Sequence, residues 1–221
     1  MAGEGNRPLV RMSVRAVVET TLHESDLSPA AGAARRMREG AAAHRARQHG
    51  AAQTDGAYRA EVALAGEYEG DTLTLRVHGR ADGVTVNEDG VTVIEEIKLG
   101  ALGAPLIPAH MAQAAMYGHM LCAAEGLAAV RLCVLYVGLH GERLCAYEET
   151  QTAEALRAEF DALCAPACAW EEKKRARKAA RDHSLLSLAF PFDAYRAGQR
   201  QFAANVYIAI RDRKRLFAQA P

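Results

Sequence analysis

Lysine is almost missing from most of this chain. Of the 27 cationic side chains only five are lysines, and one of those, Lys98, lies within the first 172 residues. Net charge is also missing: 27 basic residues balance 27 acidic ones. That balance excludes a whole-molecule field for a polyanionic partner, so any nucleic-acid surface must be a local patch. No apolar run approaches the roughly 20 residues needed to span a bilayer. The opening Met-Ala-Gly-Glu-Gly-Asn-Arg lacks the apolar centre of a secretory signal. The expected compartment is the cytoplasm, with no membrane partner.

Cysteine is scarce and late. The five, at positions 122, 133, 145, 164 and 168, do not suit a secreted disulfide scaffold of this length. Cys164 and Cys168 flank Pro166, but no second pair completes a four-ligand metal site. What remains is an ordinary globular composition, 50% apolar and 24% charged over 221 residues, enough for one full core with length to spare.

The hydrophobic period divides the chain. Helical spacing predicts helices over 13–24 and 30–49, the second rich in alanine and arginine. From Tyr58 the period becomes two, predicting strands Tyr58–Ala65, Thr72–His78, Arg80–Val86 and Val91–Lys98, with turns at Glu69-Gly70-Asp71 and Glu88-Asp89-Gly90. Pro108 opens a helix running to Glu125 and stopped by Gly126. The apolar run 129–138 reads as a buried strand, 143–148 as an edge strand, and a helix from Thr152 is expected to be interrupted at Pro166. The basic run 171–181 reads as a solvated helix face.

A three-residue loop at Glu88-Asp89-Gly90 pairs Asn87 with Val91, and that register sets Asp82 opposite Glu96. Such partners lie about 5 Å apart at Cβ and share a face. Lys98, two residues beyond Glu96, shares it as well. Converging carboxylates repel unless a cation neutralises them, and a hard ion such as Mg²⁺ or Mn²⁺ prefers their oxygens. With lysine beside them, the group suits phosphodiester hydrolysis. The Glu-x-Lys triplet alone is common. The ordered series His44, Asp82, Glu96-x-Lys98, then Gln113 and Tyr117 one helical turn apart, is more specific.

Gly79-Arg80-Ala81-Asp82-Gly83-Val84, Val93-Ile94-Glu95-Glu96-Ile97-Lys98 and Gln113-Ala114-Ala115-Met116-Tyr117 resemble motifs of the PD-(D/E)xK nuclease superfamily. Within it they most resemble the RecB-type branch that includes the CRISPR-adaptation exonucleases, over roughly residues 13–180. The resemblance implies an α/β, restriction-endonuclease-like core with a central mixed sheet flanked by helices. It implies metal ligation by Asp82 and Glu96, completed by His44 and the Ile97 carbonyl, with Lys98 as the catalytic lysine. Gln113 and Tyr117 match the branch's Q-x-x-x-Y helix, which implies contact with DNA or with the site lysine. Several relatives hold an iron–sulfur cluster on four cysteines, one before the core. No cysteine precedes position 122 here, so no cluster is expected.

Residues 190–199 and 216–221 resemble the entry to a DinG/XPD-type helicase domain, without its phosphate loop. The organisation expected is therefore a nuclease-like domain over 1–182 and an incomplete helicase ATPase segment over 183–221, with no ATPase activity in this chain. The expected function is a Mg²⁺- or Mn²⁺-dependent deoxyribonuclease, exonuclease rather than endonuclease, acting on single strands or duplex ends in DNA repair and partnered by the missing helicase domain. The alternative is a catalytically silent DNA clamp beside a helicase.

Overall fold

The computed structural model describes residues 7–22 and 33–219, with side chains for 7–22 and 38–219. Its order is β1 (Leu9–Ser13), α1 (Val14–Leu22), α2 (Ala33–Thr54), β2 (Arg59–Glu69), β3 (Thr74–Val86), β4 (Thr92–Leu99), α3 (Pro108–Glu125), β5 (Ala129–Val137), β6 (Arg143–Thr152), α4 (Ala153–Leu186) and α5 (Gln199–Arg211). The fold is mixed α/β: a central six-stranded mixed sheet flanked by helices. The chain divides into two compact units, residues 1–175 and 176–221.

In the first unit, β5 is the buried strand its apolar run predicts. It lies parallel to β4 and antiparallel to β6, which continues to Thr152, beyond the expected edge strand. Helix α3 begins at Pro108, whose missing N–H costs nothing at that position. It ends at Gly126 (φ 69°), where the amides of Gly126 and Leu127 both donate to the Cys122 carbonyl. Met116, Met120 and Leu121 on α3 share the larger core with Val14, Val17 and Val18 of α1 and with Ile94, Leu132 and Val134 of the sheet. A smaller cluster on the opposite sheet face joins Ala43 of α2 to Ile97, Cys133, Leu135 and Val137.

Several expectations change. The helix expected from 13 begins at Val14, and before it runs β1, whose pairing with β3 was not expected. Positions 23–24 and 30–32, part of the two predicted helices, lie outside the described residues, and α2 continues past 49 to Thr54. The two strands expected on either side of Gly79 are one, β3. Helix α4 runs unbroken through Pro166, because Leu163, Cys164, Ala167 and Cys168 around it are all buried in the core. That packing outweighs one missing helix hydrogen bond. In the second unit, 214–219 carry neither helix nor strand, and 220–221, part of the helicase-like motif, lie outside the described residues.

The feature that positions the site is how β3 changes neighbours. β2 runs along one edge of β3, pairing from Thr74 to Val84. On the other edge, β1 pairs with Thr74–His78 and β4 pairs with Gly83–Val86. Among the described residues no strand pairs with 79–82 on that edge, which leaves a gap in the sheet between β1 and β4. Asp82 sits at its inner end.

Candidate functional site

Strand pairing explains why Asp82 is available. Extending the β3–β4 register brings Asp82 opposite Glu96, as the hairpin loop predicts, but the ladder itself stops one step earlier at Gly83 and Glu95. In place of a backbone pair, Asp82 Oδ2 accepts the Ile97 N–H at 2.7 Å. On the β2 side the ladder also skips one pair, Glu61 with Asp82. Glu61 takes φ 54°, a left-handed conformation costly for a residue with a Cβ. Both neighbours of β3 therefore release it at the same residue.

Side chains from both sheet faces reach this point. His44, half-buried on α2, brings Nδ1 to 3.6 Å from Asp82 Oδ1. Burial works against its protonation, but the Asp82 carboxylate outweighs burial and holds the His44 pKa above its ordinary value. On the α3 side, Lys98 Nζ lies 2.6 Å from Glu96 Oε1 and donates to Gln113 Oε1 at 2.9 Å. Glu96 is only 5% exposed. Burial pushes its pKa up to about 7; Lys98 opposes this rise and Asp82 adds to it.

Tyr117 lies beneath the gap. It is 8% exposed, and a Cβ on Gly79 would come within 2.6 Å of its hydroxyl. Burial, then the charges of Glu96 and Asp82, raise its pKa, while contact with the Arg80 backbone opposes the shift. Tyr117 therefore acts on the strand that carries Asp82. Gln113, one turn before it, accepts the hydrogen bond from Lys98.

Beside Lys98 a cleft of about 270 Å³ opens between α1 and α3, lined by Arg15, Glu19, Lys98, Ala109, His110 and Gln113. His110 Nδ1 is 2.9 Å from the Tyr136 hydroxyl, which accepts the Ile107 N–H at 3.1 Å. Burial and then the Lys98 charge push the His110 pKa down to about 4. Neutral at pH 7, it adds no charge to the cleft.

The sequence reading missed a second polar group, on the α2 side. Arg47 donates to Glu95 Oε1 at 2.6 Å, and the Tyr58 hydroxyl donates to Glu95 Oε2 at 3.2 Å. Tyr58 lies so close over Gly83 that a Cβ there would collide with its ring and hydroxyl. Gln48, 8% exposed, gives Nε2 to Glu61 Oε1 at 3.1 Å and to the Asp82 carbonyl at 2.9 Å. One signal was available: Arg47 and Gln48 follow His44 by three and four residues, on the same helix face.

The donor set suits a hard divalent cation: carboxylate oxygens of Asp82 and Glu96, the Ile97 carbonyl and the His44 imidazole. The placement is less favourable. Asp82 and Glu96 each give one oxygen to a protein donor. Among the described residues no three His, Cys, Asp or Glu side chains converge as metal ligands. An ion bound here would have to draw Glu96 away from Lys98.

No protein-family model matches the sequence, and no curated protein matches it. Among solved structures, the crystal structure of SSO0001 is similar at 18% identity and a TM-score of 0.45, covering 74% of this chain and 78% of that one. Among the described residues, no helix is long and apolar enough to cross a membrane.

Proposed function

We propose that the chain is a Mg²⁺- or Mn²⁺-dependent DNA nuclease, the nuclease module of a nuclease–helicase repair protein. One observation carries the reading. At the gap in the sheet, Asp82 accepts the N–H of Ile97, the residue between Glu96 and Lys98, and Lys98 is held between Glu96 and Gln113. Asp82, Glu96, the Ile97 carbonyl and His44 would hold the ion, which when bound supplies Lewis acidity toward a phosphodiester.

The chain's own groups do the rest. The Lys98 ammonium is a compact charge able to offset the negative charge that builds on a phosphoryl oxygen. Gln113 fixes its position, and the cleft beside it offers space for a strand next to the lysine. Tyr117 supports β3 from below, and residues 183–221 would join the helicase partner. A digestion series with end-labelled single- and double-stranded DNA, with and without Mn²⁺, tests the reading. Metal-dependent cutting that is lost in Lys98→Ala supports it; a Lys98→Ala protein that cuts as well as wild type overturns it.

A second reading has its own observation. Glu96 is engaged by Lys98, and no three-ligand group converges among the described residues. That arrangement favours a silent DNA clamp attached to a helicase. Isothermal titration with Mn²⁺ separates the two, since a clamp binds DNA but takes up little or no metal.

A further inference from the structure

Asp82 lies where the sheet gives it the least backbone support. The ladder to β2 skips it, the ladder to β4 ends one residue away, and among the described residues no strand pairs with that edge from Gly79 to Asp82. The Ile97 N–H holds one oxygen of its carboxylate, but the backbone of so loosely held a residue needs a separate device to fix it. Gln48 is placed to be that device. Its single Nε2 bridges the two groups that the break separates, the Asp82 carbonyl and the Glu61 carboxylate.

Arg47 carries out the same task one residue earlier. It ties α2 to Glu95, which neighbours Glu96 and pairs with Gly83. The remaining apolar contact of α2 with the sheet is small, centred on Ala43. His44, Arg47 and Gln48 share one helix face, so the clasp that seats α2 also sets how closely His44 approaches Asp82.

We propose that Gln48 and Arg47 are positioning residues: they hold the broken strand pair at Glu61 and Asp82, and through it fix the His44–Asp82 contact. Neither touches substrate or reacting atoms. Gln48 acts because one amide donates twice, and Arg47 acts as an anchoring cation. The fork of the guanidinium is not essential, since Arg47 Nε is buried without a partner among the described residues. A lysine at 47 therefore loses no hydrogen bond made by that nitrogen.

The proposal rests on the nuclease reading only for its catalytic consequence; the geometric core is tested on metal-free protein. Gln48→Glu keeps the shape and removes both donors. Gln48→Met removes them without adding charge. Each variant is checked for a cooperative melt, and the His44 ring resonances are recorded by nitrogen–proton correlation at one pH, beside wild type, Asp82→Asn and Arg47→Lys. The expected result is that both Gln48 variants move the His44 cross-peaks over the larger part of the distance to their Asp82→Asn positions, while Arg47→Lys leaves them at the wild-type positions. Unmoved cross-peaks in whichever Gln48 variant folds would overturn the proposal, as would Arg47→Lys moving them as far as Gln48→Met. DNA cutting is measured separately. Absent cutting in wild type with the expected NMR pattern rejects the nuclease and keeps the clasp.

Discussion

Asp82 replaces a strand partner: its Oδ2 accepts the Ile97 N–H at 2.7 Å where the β3–β4 ladder has just ended. The same side chain faces His44 through Oδ1. Its structural and chemical duties are therefore separable by substitution. Asp82→Asn can still offer an oxygen to Ile97, whereas Asp82→Ala leaves a buried N–H without a partner. Such a group costs about 1–3 kcal/mol. Urea unfolding should show that loss for Asp82→Ala and a much smaller one for Asp82→Asn, with DNA cutting absent in both.

Glu61 offers a test of the strand break itself. Its φ of 54° is open to glycine and costly for any residue with a Cβ. Glu61→Ala and Glu61→Gly both lose the contact with Gln48, so comparing them isolates the backbone term. Glycine normally weakens a strand. Here Glu61→Gly should be more stable than Glu61→Ala by about 1 kcal/mol in thermal or urea melts. The reverse order would show that the strand does not turn left-handed at this residue.

The sheet and α3 were legible because their signals are local: alternation, a three-residue loop closed by Gly90 (φ 77°), Pro108 at the helix start and Gly126 at its end. The register that set Asp82 against Glu96 came from that loop alone. The break at Asp82 was not legible, because it depends on β1 arriving from 65 residues away to occupy the other half of the same edge. Reading two strands around Gly79 detected the change of partner while misjudging its form. Arg47, Gln48, Tyr58 and Glu95 were missed since each looks like a surface residue until α2 is laid on the sheet.

Tyr117 and Gly79 form a close pair whose roles can also be separated. A methyl at 79 would press on the Tyr117 hydroxyl and ring, so Gly79→Ala should cost about 1–3 kcal/mol as overpacking. Tyr117→Phe keeps the ring and loses a hydroxyl whose net contribution is about 1 kcal/mol. If it abolishes DNA cutting while melting close to wild type, the hydroxyl acts in the reaction; unchanged cutting assigns Tyr117 to support of β3 alone.

Glu96 and Lys98 give the fold a pH dependence of unusual sign. The Glu96 pKa is raised in the folded protein, to about 7 against an ordinary 4.5, so the native state binds the proton more tightly than the unfolded chain. Stability from this source is complete below about pH 4.5 and falls as pH rises through 7. The shift corresponds to about 3 kcal/mol. Metal-free wild type should lose stability between pH 5 and pH 8, and Glu96→Gln should flatten that part of the profile. Lys98 limits the loss by pairing with the ionised form at 2.6 Å. Lys98→Met removes that cation and leaves a buried carboxylate alone, a change that costs about 3–5 kcal/mol when the charge cannot escape. Here it can escape by taking a proton. The cost of Lys98→Met should therefore be large at pH 8 and small at pH 5, measured as the difference in urea midpoints from wild type at each pH. An equal cost at both would mean that Glu96 is not the group Lys98 stabilises.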